Sequence, residues 1–137
     1  MSDYETSGPK IVLLAEDDPV NQEIVRHILS RLEGIELIVV SDGRAALEHA
    51  LERRFDLMIF DRQMPYIPGD KVIRHLKAAK TINSGTPIIQ FTAAADRVAV
   101  REGATAFADA IVPKPFRRSE LLHAITTLLP PRPNDTN

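Results

Sequence analysis

The sequence predicts an α/β protein with a doubly wound parallel sheet of five strands and helices on both faces. Two observations support this prediction. Short apolar runs alternate strictly with amphipathic segments, as in parallel sheets. Each run is also rich in β-branched residues and bounded by polar residues, glycine or proline, which is typical of strands covered on both faces. The predicted strands are residues 11–14, 37–40, 57–60, 88–91 and 110–112.

The segments between the strands are predicted to be helices because their apolar residues recur every three or four positions. The first helix has Asp18 as a candidate N-cap, Pro19 at its first position and Gly34 at its end. Its predicted apolar stripe consists of Val20, Ile24, Val25, Ile28, Leu29 and Leu32. The later helices are predicted over 44–53, 70–80, 97–103 and 119–129, the segment 97–103 having the weakest pattern.

The length of 137 residues suits a single domain. We expect this domain to occupy residues 10–129, because the ends of the chain are polar and the last eight residues contain three prolines and no apolar residue to bury. Residues 1–9 and 130–137 are therefore predicted to be flexible tails.

The composition excludes several classes of function. A net charge of −2 provides no basic field for nucleic acid or an anionic membrane, so neither is expected as a partner. The absence of cysteine excludes disulfides, thiol nucleophiles and cysteine-based zinc sites. The sequence shows neither an apolar run long enough to span a bilayer nor a secretory signal, so we expect a cytoplasmic protein.

Ligands of doubly wound sheets bind beyond the carboxyl ends of the strands, so the residues after each strand are the candidate site. They are Glu16, Asp17 and Asp18 after the first strand, Asp61 after the third, Thr92 after the fourth and Lys114 after the fifth. Clustered carboxylates repel one another unless a cation intervenes, and Mg²⁺ binds carboxylates together with phosphate oxygens. With a lysine and a hydroxyl to hold the added oxygens, this set predicts a Mg²⁺-dependent aspartate that accepts a phosphoryl group.

Four segments are informative when they are taken together and in order. They are residues 13–23 (LLAEDDPVNQE), residues 56–65 (DLMIFDRQMP), Thr92-Ala93 and residues 114–116 (KPF). This set resembles the receiver domain of two-component response regulators over residues 10–129, and its first segment is especially similar to receivers attached to hybrid histidine kinases. The resemblance implies the flavodoxin-like (βα)5 fold of the chemotaxis regulators.

The resemblance also implies a role for each candidate residue. Asp61 is the expected phosphoacceptor, Thr92 the switch hydroxyl and Lys114 the ion-pairing lysine. The expected Mg²⁺ ligands are Glu16 (largely through water), Asp17, Asp61 and the backbone carbonyl of Gln63. Asp18 is outside this set and is expected to cap the first helix.

By the same resemblance, the chain is expected to be a single-domain response regulator in a two-component phosphorelay. A histidine kinase or a histidine phosphotransfer protein would donate the phosphoryl group, and a downstream protein would bind in a phosphorylation-dependent way. An alternative within this class is a receiver excised from a hybrid kinase. We expect a phosphoacceptor domain with self-catalysed phosphotransfer and autodephosphorylation rather than an enzyme.

The sequence departs from the family pattern between residues 93 and 113. Ile111 stands where many receivers have the aromatic residue that follows the switch hydroxyl, Phe107-Ala108 replaces a small Gly-Ala pair, and Pro113 directly precedes Lys114. The resemblance therefore does not imply the usual coupling between the Thr92 hydroxyl and an aromatic side chain on the fifth strand. The family resemblance also predicts a cis peptide bond between Lys114 and Pro115.

Three other functions fit the sequence less well. A haloacid-dehalogenase-type phosphatase would need a second Asp as general acid where this chain has Gln63. A pseudo-receiver would have a broken motif set, whereas every catalytic position is filled here. A flavodoxin-like carrier would bring the FMN phosphate against Glu16, Asp17 and Asp18, with no Ser/Thr-rich cradle after the first strand.

Overall fold

The computed structural model describes residues 8–129. The tails predicted at residues 1–9 and 130–137 lie outside the described residues, except for Gly8 and Pro9. Within 8–129, five parallel strands form one sheet in the order β2-β1-β3-β4-β5. The strands are β1 (Lys10–Ala15), β2 (Ile35–Val40), β3 (Leu57–Asp61), β4 (Ile88–Thr92) and β5 (Ala110–Pro113). The predicted doubly wound parallel sheet is therefore confirmed.

A helical segment follows each strand. The helices are α1 (Pro19–Ser30), α2 (Gly43–Glu52), α3 (Gly69–Ala78), α4 (Arg97–Arg101) and α5 (Arg118–Leu128), and a 3₁₀ turn at Ala94–Asp96 precedes α4. The predicted segment 97–103 ends early, and α4 buries none of its residues. The amide of Gln90, buried in β4, donates to the carbonyl of Ala104 at 3.0 Å and so holds the loop that follows α4.

Two apolar cores lie on opposite faces of the sheet. Val12 and Leu14 of β1 face the core formed with α1 and α5, whereas Leu13 and Ala15 face the core formed with α2 and α3. All four residues are fully buried. The strand is continuously apolar because successive side chains point to opposite faces and both faces are covered.

The predicted stripe of α1 is partly wrong. Val25, Ile28 and Leu29 are buried, but Val20 is 66% exposed and Ile24 is 36% exposed. At about 100° per residue, the buried positions form one narrow face of the helix, and Val20 and Ile24 lie roughly 90° or more away from the centre of that face. The sheet covers only the narrow face.

Candidate functional site

The register of the sheet brings the predicted site residues to one rim. Ala15 pairs with Phe60, so the next residues, Glu16 and Asp61, lie side by side where β1 and β3 end. Glu16 also follows the point where the strand order reverses, since β1 lies between β2 and β3. This crevice is the place where open parallel sheets bind ligands.

The same register extends the site across β4 and β5. Thr92 pairs with Pro113, so Lys114 follows directly beyond β5. The backbone N–H of Lys114 donates to the carbonyl oxygen of Thr92 at 2.7 Å, which fixes the start of the loop that carries the lysine. The peptide bond between Lys114 and Pro115 is cis, as predicted.

The ammonium group of Lys114 lies between two buried carboxylates. Its Nζ is 2.9 Å from Oδ2 of Asp61 and 3.2 Å from Oε1 of Glu16. Asp61 is 3% exposed and Glu16 is fully buried. One cation therefore compensates part of the charge of two carboxylates that have lost most of their hydration.

A third carboxylate completes an acidic cluster. Glu16, Asp17 and Asp61 each offer one oxygen, and these oxygens lie within 4.8 Å of one another. Oε2 of Glu16 accepts a hydrogen bond from the N–H of Asp18, but Oε1 has no well-oriented hydrogen bond among the described residues. Three carboxylates that offer hard oxygen ligands, with the Lys114 ammonium as the nearby cation, fit a Mg²⁺ ion.

The electrostatics of the cluster favour proton or cation uptake. Burial, more than the neighbouring charge of Asp61, raises the pKa of Glu16 to about 7. Burial also raises the pKa of Asp61, and the hydrogen bond from Lys114 opposes this shift only in part. Burial alone would lower the pKa of Lys114, but its hydrogen bond and charge interaction with Asp61 raise it, so the lysine stays charged.

Gln63 and Asp18 are both close to the cluster but differ in what they contact. Among residues 8–129, no backbone hydrogen bond reaches the carbonyl oxygen of Gln63, which therefore stays free for a ligand. The carboxylate of Asp18 accepts the N–H of Val20 at 2.9 Å, as the N-cap of α1. The structure thus agrees with the capping role predicted for Asp18.

Sequence reasoning missed a group of charged residues beside the site. Arg62 lies 3.1 Å from Asp96 and 3.4 Å from Asp70, and both carboxylates are buried. The signal in the sequence was weak, because Asp96 looks like any acidic residue of a polar loop. Asp96 lies four residues after Thr92, and Arg62 directly follows Asp61. Only the structure shows that the side chains of Asp96 and Arg62 form an ion pair beside the site.

The departures from the family pattern are visible in the structure. Ile111 is 49% exposed on β5, so an aliphatic side chain occupies the surface position where many receivers have an aromatic one. Phe107 is also exposed and lies under the guanidinium of Arg74, at 5.6 Å. Among residues 8–129, no hydrogen bond joins the Thr92 hydroxyl to Asp61 or Lys114.

Comparison with known proteins identifies the class to which this fold and site belong. A family model described as the response regulator receiver domain matches residues 12–126. The chain therefore belongs to the receiver-domain family of two-component response regulators.

Individual relatives agree with this assignment. The DNA-binding response regulator MtrA of Mycolicibacterium smegmatis is 37% identical over 118 residues, which are 86% of this chain and 50% of that protein. The autoinducer 2 sensor kinase/phosphatase LuxQ of Vibrio vulnificus is 34% identical over 80% of this chain and 12% of its own length. The chain thus spans about half the length of MtrA.

Solved structures show the same fold. The receiver domain of the sensor histidine kinase PA1611 of Pseudomonas aeruginosa, with a magnesium ion in its active-site cleft, has a TM-score of 0.78 and 29% identity, over 89% of this chain and 98% of its own. The chemotaxis response regulator CheY4 of Vibrio cholerae has a TM-score of 0.76 and 29% identity, over 88% and 99%.

One of these relatives limits a prediction. MtrA is named as DNA-binding, so the prediction that nucleic acid is not a partner is not confirmed. In residues 8–129, no helix has the length and apolar character needed to cross a bilayer.

Proposed function

We propose that Asp61 accepts a phosphoryl group from a histidine kinase or a histidine phosphotransfer protein. The observation that supports this role is the convergence of Lys114 with the carboxylates of Glu16, Asp17 and Asp61 at the carboxyl rim of the sheet. The receiver unit is proposed to be residues 10–129.

The residues present fit a Mg²⁺ ion, which when bound would neutralise charge on the phosphoryl oxygens. Glu16, Asp17 and Asp61 would hold it, together with the free carbonyl oxygen of Gln63. Lys114 would orient Asp61 through its contact with Oδ2, which leaves Oδ1 to form the bond to phosphorus. The bond from phosphorus to the donor imidazole nitrogen breaks, and its electron pair remains on that nitrogen.

After transfer, two side chains are proposed to hold the new oxygens. Lys114 provides a charge, and the Thr92 hydroxyl provides a hydrogen bond once it turns towards the phosphoryl group. Because Thr92 makes no such bond in the unmodified protein, phosphorylation creates a new contact and can shift the loop that follows β4. This is the proposed origin of the switch.

The proposed output is a phosphorylation-dependent contact with another protein, as expected for a single-domain response regulator of the cytoplasm. The net charge of −2 supports a protein partner rather than nucleic acid. Gln63 supports a signalling domain over a phosphatase, because an amide cannot act as the general acid of a turnover cycle. The product would therefore be one aspartyl phosphate per chain.

The test is labelling with acetyl phosphate and Mg²⁺, followed by intact mass measurement. The parent protein is expected to gain one phosphoryl group, and Asp61→Asn none. Asp18→Asn is the matched control, since this neighbouring acid caps a helix and should leave labelling unchanged. Labelling of Asp61→Asn, or phosphate release from acetyl phosphate that continues in Asp61→Asn, would contradict the proposal.

A further inference from the structure

Asp96 is a fully buried carboxylate that takes no part in the proposed chemistry. It ends the 3₁₀ turn after β4, and its Oδ2 accepts the backbone N–H of Ala93 at 2.8 Å. Its Oδ1 accepts from Nη1 of Arg62 at 3.1 Å and from Nε2 of Gln63 at 3.0 Å. The single side chain of Asp96 therefore accepts hydrogen bonds from three donors.

The three donors come from two separate loops, and each loop starts at a site residue. Ala93 directly follows Thr92, whereas Arg62 and Gln63 directly follow Asp61. The strand ladder between β3 and β4 ends at the pair Asp61 and Phe91, so it does not hold the loops together beyond that point. The Asp96 carboxylate does so instead.

The charges around Asp96 make this connection stiff. Arg62 lies between Asp96 and Asp70, which is the second residue of α3, so the guanidinium links the turn after β4 to the start of α3. Burial opposes the charge of Asp96, but the hydrogen bonds from Ala93, Gln63 and Arg62 outweigh it and lower the pKa. A charged, buried and multiply bonded group resists displacement.

We infer that Asp96 is a positioning residue, which sets the separation between the loop of Gln63 and the loop of Thr92 and so holds the Gln63 carbonyl in place for the metal ion. The inference rests on the proposed function of Asp61 and its Mg²⁺ ligands. Groups that orient metal ligands without touching the metal commonly change metal affinity about 10–100-fold when they are removed.

The experiment measures Mg²⁺ binding to the unphosphorylated protein by isothermal titration calorimetry. Asp96→Asn is expected to raise the dissociation constant for Mg²⁺ about tenfold. Asp109→Asn is the matched control, because the carboxylate of Asp109 also accepts a backbone N–H at 2.8 Å, from Ile88, at the far end of the same strand. Its Mg²⁺ affinity should stay within about twofold of the parent value, since it touches neither loop.

A second variant separates positioning from folding. Gln63→Ala removes one donor to Asp96 at an exposed position and keeps the backbone carbonyl, so it should fold and still weaken Mg²⁺ binding. The double variant Gln63→Ala/Asp96→Asn should lose less Mg²⁺ binding free energy than the sum of the two single losses, because both substitutions act through the same contact. Full additivity, or unchanged affinity in Gln63→Ala, would overturn the inference.

The failure of this inference can be told from the failure of the proposed function. If the parent protein neither binds Mg²⁺ nor accepts phosphate from acetyl phosphate, the proposed function is wrong. If the parent protein does both and Asp96→Asn binds Mg²⁺ as tightly as the parent, only the positioning role of Asp96 is wrong.

Discussion

Gly69 lies directly against the backbone of Asp61. Its N–H donates to the carbonyl oxygen of Arg62 at 2.9 Å, and a Cβ at this position would overlap the carbonyl oxygen of Asp61. The first residue of α3 therefore touches the last residue of β3. The position of the Asp61 backbone depends on a residue without a side chain.

Gly69→Ala is expected to destabilise the protein by about 2–3 kcal/mol, because either the helix or the end of β3 must move. Gly85→Ala is the matched control, since a Cβ there meets nothing within 4 Å. Urea unfolding measures both variants, and labelling at Asp61 should fall only in Gly69→Ala. Equal stability of the two variants would show that the close approach is easily relieved.

Asp18 should contribute to the free energy of unfolding but not to Mg²⁺ affinity. Asp18→Ala removes the N-cap hydrogen bond to Val20 and should lower the free energy of unfolding by about 1 kcal/mol. Its Mg²⁺ affinity, measured by calorimetry, should remain near the parent value. A large loss of Mg²⁺ affinity would instead place Asp18 among the ligands.

The raised pKa of Glu16 predicts how stability depends on pH without Mg²⁺. Because burial raises this pKa from 4.5 to about 7, the folded protein binds the proton more tightly than the unfolded chain. The resulting stabilisation is present below pH 4.5 and is lost as pH rises to about 7. The free energy of unfolding, measured in urea, should therefore fall in the parent protein as pH rises across this window. Glu16→Gln lacks this titration, so its stability should rise relative to that of the parent over the same window. Parallel pH profiles of the two proteins would contradict the shift.

Asn83 should stabilise the end of the sheet away from the site. Its buried amide accepts the N–H of Phe55 at 2.9 Å and donates to the carbonyls of Ala50 and Arg53 at 2.6 and 2.8 Å. Asn83→Ala leaves these groups without partners, so we expect a loss of about 3 kcal/mol in urea unfolding.

The control for this variant is Asn21→Ala, because the amide of Asn21 is partly exposed and, among residues 8–129, makes only a long contact of 3.4 Å with Asp18. It should change stability by less than about 0.5 kcal/mol. Asn83→Ala should still be labelled at Asp61 in conditions where it is folded. A loss of labelling in the folded variant would show that the two ends of the sheet are coupled.

Thr92→Ala should separate phosphorylation from signalling. Labelling at Asp61 should continue, because the ion pair of Lys114 is intact, but binding of a partner protein should no longer differ between the beryllofluoride form and the unmodified form. Thr126→Ala is the control, since that exposed hydroxyl donates to the carbonyls of Leu122 and His123 in its own helix and lies away from the site. The switch model fails if the parent protein binds its partner equally in both forms.

Much of the fold could be predicted from the pattern of apolar residues. Strands covered on both faces must be continuously apolar, and the five runs are short enough to exclude most helical alternatives. The stripe of α1 was overestimated at Val20 and Ile24, because apolar composition cannot show how wide a face the sheet will cover. The early end of α4 at Arg101 was also missed, since no buried residue anchors that helix.

The candidate site was predicted in part. The side chains that end strands were identified because parallel topology brings those ends together, and the structure places Glu16, Asp17, Asp61 and Lys114 within reach of one another. The contact between Arg62 and Asp96 could not be predicted. It joins residues 34 positions apart through long side chains, whose directions depend on the loops around them.

By itself, the sequence determined the alternation of strands and helices, the sheet that this alternation forms and the acidic residues at its rim. Those features are local or periodic, so they follow from residue types and spacing. Only the tertiary structure decided which charges meet, how deeply they are buried and hence which pKa values rise. Such quantities depend on distances between loops that are far apart in the chain, and packing sets those distances.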